Sequence, residues 1–493
     1  MKLKEIIENV LGRETDFEYF NSDLSDLKIW ESWYRGKTNF HKYTITNNGK
    51  THPMERFSLG MAKKVSEEWA NLVLNEKTDI TIGNDKTQKA VQKVLKDSRF
   101  WTEANINEEK VFALSIGAWV VSVNNLSVKW DKNGNGYTNK DGTVHVECVS
   151  GNKVKPFTFV DNKCTECAFV SKSGKKAYIS IHAIGDDGFY RIYNINATCP
   201  NLADEDNYSY DSSTDITVFY TESKYPWFVL RKPNISNNKR IESPLGISVF
   251  ANAIDTLKNI DLIFDSYYNE FSIGRKRIFI KAKKQTIDRG TGEYVDTFDI
   301  NDVALYMLDE NDEEPFIQDN TQTLRIQEHE SALQGMLNVL SYQCGFGTEY
   351  FRFDKGSVAT ATQVISENSE LFRNIKKHEI LIEENLIELA SVIIYAINRF
   401  TIDSVEEAEI EVKFDDSIIE DKASEKQSDL VDVNSGIMSK AEYRSKWYNE
   451  DIDTAKQAIE EIEEAERERQ ADLNATISGG VNIFGRNVEE DEE

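Results

Sequence analysis

The spacing most suggestive of chemistry is Cys164-Thr165-Glu166-Cys167, a C-x-x-C pair that Cys148 and Cys199 would extend to four thiols. A structural zinc site takes four such ligands, normally from two C-x-x-C pairs, and this chain has one. Metal ligation and a group of buried thiols are both open, and buried thiols in a strand-rich segment are the plainer reading. Asp131-Lys132-Asn133-Gly134-Asn135-Gly136 begins like a calcium-binding EF-hand loop. Its twelfth position is Gly142 where a bidentate Glu belongs, so a hairpin loop is predicted there instead.

The phosphate cradle G-x-x-x-x-G-K-[ST] does not occur, nor do G-x-G-x-x-G, H-E-x-x-H or G-x-S-x-G. His41, His52, His145, His182, His329 and His378 show no ligand or triad spacing, and His378 is expected to be solvated or packed on a long helix. In a chain with 85 acidic residues, paired carboxylates carry no diagnostic weight. The expectation is a protein that is not an enzyme and needs no metal or cofactor.

Composition narrows the classes further. At 493 residues the chain has length for about three domains. Its 40% apolar and 29% charged residues are those of folded protein. A net charge of −27 argues against a general nucleic-acid binder, which neutralises phosphates with a basic surface. The longest mainly apolar run, Leu386 to Ile397, contains Glu388 and is too short to span a bilayer, so no membrane segment is predicted. The N-terminus is amphipathic and acidic rather than continuously apolar, so no signal peptide is expected. Five Cys are too few for a disulfide scaffold, and free thiols are predicted.

The elements that would position any site follow from periodicity. Phe57, Met61, Val65, Trp69, Leu72 and Val73 recur at helical spacing and predict a helix over Met54 to Leu74. Trp119–Val123, Val144–Val149, Tyr178–His182 and Ile216–Tyr220 read as antiparallel strands. Ser243-Pro244, an N-cap followed by a favoured first helical residue, predicts a helix of about 28 residues and about 42 Å. It has two apolar stripes, interrupted by Asp261, and so should pack on both sides. A strand-rich insert follows, then a helix from Thr323 to Gln343. Thr360-Ala361-Thr362-Gln363 is a capping-box pattern opening a helix of about 38 residues. A strand at Glu409–Phe414 leads to C-terminal helices, and residues 401–493 hold 28 acids against 10 bases. The fold class predicted is α+β, mainly helical.

Two segments stand out within that frame. Arg275, Lys276, Arg277, Lys281, Lys283, Lys284 and Arg289 form a basic run broken by one acid, Asp288. It is either a solvated strand face or a docking patch for an acidic partner or passing phosphates. Residues 345–358 place Gly345, Gly347 and Gly356 around an aromatic and charged core of Phe346, Thr348, Glu349, Tyr350, Phe351, Arg352 and Lys355. This is longer than a plain interhelical turn, and glycines at both ends suggest hinges. Deleting Thr348 to Asp354 is therefore expected to spare the fold.

The order of these blocks resembles the portal proteins of tailed bacteriophages, and among them the SPP1-type family of long-tailed phages of Gram-positive hosts. The residues that carry the resemblance are Ser243 to Phe271 with Gly274-Arg275-Lys276-Arg277, then Gly347 to Asp354, Thr360 to Asn368, and Ser435 to Tyr443. It implies a homo-oligomeric ring of twelve subunits at one capsid vertex of the virion, assembled in the host cytoplasm. Double-stranded DNA would be packaged and ejected through that ring. The expected parts are a wing over 1–243 with 385–420 returning to it, stem helices over 244–271 and 323–344, a clip over 272–322, a tunnel loop over 345–358, a long helix over 359–400 and a crown with an acidic tail over 421–493. Implied partners are the large terminase, which holds the motor's ATPase and nuclease, a head-completion adaptor protein, and the major capsid and scaffolding proteins. In this reading Phe346 to Arg352 and Lys355 face the channel, and Arg275, Lys276, Arg277, Lys281, Lys283 and Lys284 form the clip's interaction surface. A different head or tail protein without a DNA channel is the alternative.

Overall fold

The computed structural model describes the chain except residues 16–17, 48, 76, 131–135, 139, 201–206, 212–214, 275–277, 282–284, 297–304, 308–315, 320–322, 353–360, 415–421, 449 and 481–493. The chain divides into two compact units, one of residues 1–358 with 367–415 and one of residues 359–366 with 416–493.

The first unit opens with helices α1 (Leu3–Leu11) and α2 (Glu18–Tyr34), a hairpin of β1 (Lys42–Asn47) and β2 (Lys50–Glu55), and α3 (Met61–Val73). The helix expected from Met54 thus starts seven residues later, because Met54 belongs to β2 and Gly60 sets the helix start with φ 72°. Strand β3 (Asp79–Ile82) and helices α4 (Asp85–Asp97) and α5 (Phe100–Leu114) follow. Asn84 caps α4 through its side chain, which accepts from the Lys86 and Thr87 N–H groups.

A strand-rich stretch comes next: β4 (Gly117–Asn124), β5 (Val128–Trp130), β6 (Gly136–Thr138), β7 (Thr143–Ser150), β8 (Val154–Val160), β9 (Lys163–Ser173), β10 (Lys176–Ile184), β11 (Tyr190–Thr198), β12 (Ile216–Tyr220) and β13 (Phe228–Arg231). All four strands expected from alternation are present. They build an antiparallel five-stranded sheet, β12-β11-β10-β9-β8, and a three-stranded one, β13-β4-β7. The EF-hand-like residues 131–135 lie outside the described residues, and β5 and β6 on either side pair antiparallel as a hairpin.

Strand β10 shows why alternation was informative. Ala177, Ile179, Ile181 and Ala183 are buried in one core with Leu3, Ile6 and Ile7 of α1, and the intervening side chains point the other way. Tyr178, Ser180 and His182 line a cleft of about 250 Å³ shared with Val120 and Val121 of β4. His182 stands edge-on to Phe169 and Phe228, with ring centroids at 5.2 and 5.6 Å. Burial lowers its pKa to about 3, below the value near 6.5 of a free imidazole. The folded state therefore keeps it neutral while the unfolded chain takes a proton, so its contribution is complete above about pH 6.5 and is lost as pH falls toward 3. His182→Phe keeps a ring in place and removes that proton. Urea unfolding across pH 6 to 4 is expected to show a slope smaller by about one proton, or about 1.4 kcal/mol per pH unit. An unchanged slope would assign the acid sensitivity elsewhere.

Helix α6 (Ile254–Ile273) begins ten residues after the point that Ser243-Pro244 suggested. The segment before it is instead built into the core, with Leu245, Ile247, Val249, Phe250, Ala251 and Ala253 all buried. Tertiary contact overrides the local helix signal here. The Val249 N–H donates to the carbonyl of Phe112 at 3.0 Å. A Cβ on Gly246 would come within 2.9 Å of the Pro233 carbonyl oxygen, which fixes a close backbone approach that a helix could not make. Of the two apolar stripes, Leu257 and Ile260 are buried, while Tyr268 and Phe271 remain exposed.

The insert holds β14 (Ile278–Lys281), β15 (Gln285–Ile287), β16 (Tyr294–Asp296), β17 (Leu305–Met307) and β18 (Phe316–Asp319), with β17-β14-β18 forming one sheet and β15-β16 a hairpin. Helix α7 (Ile326–Gln343) then returns beside α6, and α8 (Ala361–Phe400) is the expected long helix. Thr360, the expected cap of α8, lies outside the described residues. Strand β19 (Ile410–Lys413) pairs with β3.

The second unit contains α9 (Lys422–Ser435), α10 (Lys440–Tyr448) and α11 (Ile452–Gly480). A reciprocal capping box starts α10: the Ser439 N–H donates to Glu442, whose own N–H donates to the Ser439 hydroxyl. Trp447 donates to Asp429 at 2.9 Å, tying α10 to α9.

Candidate functional site

The site is the segment that leaves α7, and it is built on an aromatic base. Helix α7 ends in a Schellman motif: the Phe346 N–H reaches the Ser341 carbonyl at 2.9 Å, and the Gly345 N–H reaches that of Tyr342 at 3.1 Å. The motif needs a left-handed residue, and Gly345 supplies it with φ 82°. A Cβ there would meet Asn374 at 3.1 Å and the Trp69 ring at 3.5 Å. Gly345 is thus a cap held against packed side chains and not the hinge suggested by the glycine pair.

Phe346 follows as the motif's hydrophobic residue and is 2% exposed. Its ring lies 4.9 Å from Trp69 of α3 and is stacked at 4.5 Å on Tyr350. Phe351 stands edge-on to both. Behind Phe346, Trp69 packs on Phe112 of α5 and on His378 of α8, so four elements converge on this base. His378 is packed, and burial, with Lys377 and Arg231 nearby, lowers its pKa to about 3. As a neutral ring, its Nδ1 accepts the Asn234 N–H at 3.2 Å.

Polar contacts pin the segment at each step. The Trp69 indole donates to the Cys344 carbonyl at 2.9 Å and Asn374 donates to the Gly345 carbonyl at 2.8 Å. Gln334 donates to the Phe351 carbonyl at 2.8 Å. The Tyr350 hydroxyl donates to Glu68 at 2.8 Å, and burial together with that carboxylate pushes its pKa up. Phe346, Tyr350 and Phe351 are therefore anchors. Thr348, Glu349 and Arg352 are exposed, and Arg352 pairs with Glu349. Gly347 and Glu349 both take left-handed conformations, with φ 83° and 68°, so the chain turns sharply between the anchors. Lys355 lies outside the described residues.

The structure corrects the expectation that deleting Thr348 to Asp354 would spare the fold. That deletion removes Tyr350 and Phe351 from the base, together with the bonds that Gln334 makes to the Phe351 carbonyl and Glu68 to the Tyr350 hydroxyl. Of the six basic residues expected to form an interaction surface, Arg275, Lys276, Arg277, Lys283 and Lys284 lie outside the described residues, and Lys281 ends β14. Cys164 and Cys167 share β9 as buried thiols, donating to the carbonyls of Glu166 at 3.3 Å and Ala168 at 3.6 Å.

Sequence reasoning missed two buried pairs of titratable side chains. Asp261, the acid interrupting the apolar stripe of α6, accepts from His41 at 2.8 Å, the Leu59 N–H at 2.8 Å and the Ser58 hydroxyl at 3.0 Å. Its position in the stripe was a readable signal. The second pair joins Glu108 of α5 to Arg231 of β13, with the guanidinium 2.8 Å from the carboxylate and 4.4 Å from the Trp119 ring centroid. Neither residue carries a periodic signal that marks it.

The chain combines a strand-rich body, two neighbouring helices that bracket a small sheet, an anchored loop and a helix of 40 residues. The family model described as phage portal protein, SPP1 Gp6-like, matches residues 16–472 of the 493, and the chain belongs to that family. No curated protein matches it. Family membership makes it a capsid component of the virion and a member of an oligomeric ring that handles DNA, in a family that is structural rather than enzymatic. Among the described residues, no helix is long and apolar enough to cross a membrane.

Proposed function

We infer that twelve copies of this chain form a closed ring at one capsid vertex, through which double-stranded DNA is packaged and later ejected. In that ring α6 and α7 form the stem, the insert over 272–322 the clip, residues 1–243 with 385–420 the wing, and residues 421–493 the crown. The observation that carries the reading is the family match over nearly the whole chain together with the loop on its aromatic base. A loop that must meet moving DNA without unfolding needs such a base, with its polar residues left in solvent.

Charge supports a conduit. A subunit of net −27 repels phosphates, so DNA is surrounded without being held. Thr348, Glu349, Arg352 and Lys355 then supply weak contacts at the narrowest point. The basic run from Arg275 to Lys284 supplies the docking face for the large terminase during packaging and for the head-completion adaptor afterwards. ATP hydrolysis and DNA cleavage belong to the terminase, while capsid and scaffolding proteins meet the ring's outer surface during assembly in the host cytoplasm.

Electron microscopy of the purified protein tests this directly. A closed ring with a central channel is expected, and a protein that stays monomeric at all concentrations and salts would overturn the reading.

A further inference from the structure

The hairpin β1–β2 carries a pattern that its own subunit does not explain. Its register pairs Tyr43 with Met54 and Ile45 with His52, placing these four side chains on one face, with Lys50 at its outer end. Lys42 with Glu55, Thr44 with Pro53 and Thr46 with Thr51 occupy the other. Apolar and polar faces divided in this way belong to a sheet covered on one side. Yet all of β2 is exposed, and Ile45 and Met54 are 45% and 43% open to solvent.

A lone two-stranded hairpin is marginally stable in water, but this one has a fixed root. His41, just before β1, bonds Asp261 of α6 at 2.8 Å, and beyond β2 the Phe57 N–H reaches Asp265 of α6 at 3.2 Å. Both carboxylates are buried. The apolar surface runs on from the hairpin, because Phe57 packs at 4.4 Å on Tyr268 of α6 and both remain exposed. The hairpin is held out as a pre-positioned arm.

Its charge indicates what covers it. Residues 42–56 hold Lys42, Lys50 and Arg56 against Glu55, in a chain of net −27. Lys50 lies on the same face as His52 and Met54, and the Arg56 guanidinium stands 4.3 Å from the Tyr43 ring centroid, so cations flank the apolar side chains. Such an arm is attracted to an acidic surface, and the acidic surface always beside it in a ring is another copy of the same chain. We propose that the β1–β2 hairpin is an intersubunit strap whose Tyr43, Ile45, His52 and Met54 face is seated on the neighbouring copy. This rests on the ring assembly of the proposed function.

Two variants test it. Ile45→Asp combined with Met54→Asp changes side chains that stand in solvent within one subunit, so the thermal midpoint of the unassembled chain is expected to hold. Ring yield at fixed concentration should fall about tenfold or more, since two desolvated apolar side chains are worth at least the ~1.4 kcal/mol this represents. Separately, Ile45→p-benzoyl-phenylalanine in the assembled ring is expected to join two copies covalently on illumination. Undiminished ring yield from the double variant overturns the proposal, as does illumination that gives no product between copies. If the double variant lowers the midpoint, the photoproduct alone decides. If the wild type forms rings and neither change has its expected effect, the strap is removed and the portal reading stands; a wild-type chain that never assembles removes both.

Discussion

Glu108→Ala is expected to lower the unfolding free energy by about 3–5 kcal/mol, the cost of leaving one member of a buried ion pair without its partner. Glu108 and Arg231 are 1% and 0% exposed, and the guanidinium meets both carboxylate oxygens, at 2.8 and 2.9 Å. Among the described residues, Nη1 of Arg231 already has no hydrogen-bond partner. The pair joins α5 to β13, and β13 continues into the chain that leads to α6, so its loss loosens the strand-rich body from the helices. Replacing both partners, as Glu108→Leu with Arg231→Met, should recover most of the loss, because no charge is then orphaned. Urea unfolding at one fixed protein concentration measures both variants. A single-variant loss within about 1 kcal/mol of wild type would show that the pair is solvated rather than buried.

The second large effect separates the base of the loop from its exposed face. Phe346→Ala should cost about 3–5 kcal/mol, as expected for a buried aromatic whose cavity Trp69, Tyr350 and Phe351 cannot close. By contrast, Glu349→Ser with Arg352→Ser alters an exposed ion pair, and stability should stay within about 0.5 kcal/mol of wild type. If these residues meet DNA in the ring, the second variant assembles normally and packages DNA poorly. Thermal unfolding, ring assembly and packaged DNA length read the two effects independently. Normal packaging by the Glu349 and Arg352 variant would remove both residues from the channel, and an unaltered midpoint for Phe346→Ala would contradict the packed base.

The different legibility of these features has a physical cause. Strand alternation in β10 was readable because every second residue enters one core, which α1 shares, and the long helix α8 because an apolar stripe repeats along it. Residue order likewise carried the family resemblance, through blocks such as Gly347 to Asp354 and Ser435 to Tyr443. Local signals failed where a distant backbone claimed the segment. Ser243-Pro244 has the residues of a helix start, yet Val249 bonds Phe112 and Gly246 lies against Pro233, so the helix waits until Ile254. The paired glycines after α7 read as hinges because the sequence does not show Asn374 and Trp69 beside Gly345.

The sequence by itself determined the fold class, the succession of helices and strands, the acidic balance and the family, since each depends on periodicity, composition or order along the chain. Only the tertiary structure decided which residues are anchors and which are exposed. Phe346, Tyr350 and Arg352 are neighbours in one short segment, but burial depends on what α3, α5 and α8 bring to each side of it. The pairing of His41 with Asp261 and of Glu108 with Arg231 is of the same kind, because a charge tolerates burial only where the folded chain delivers its partner.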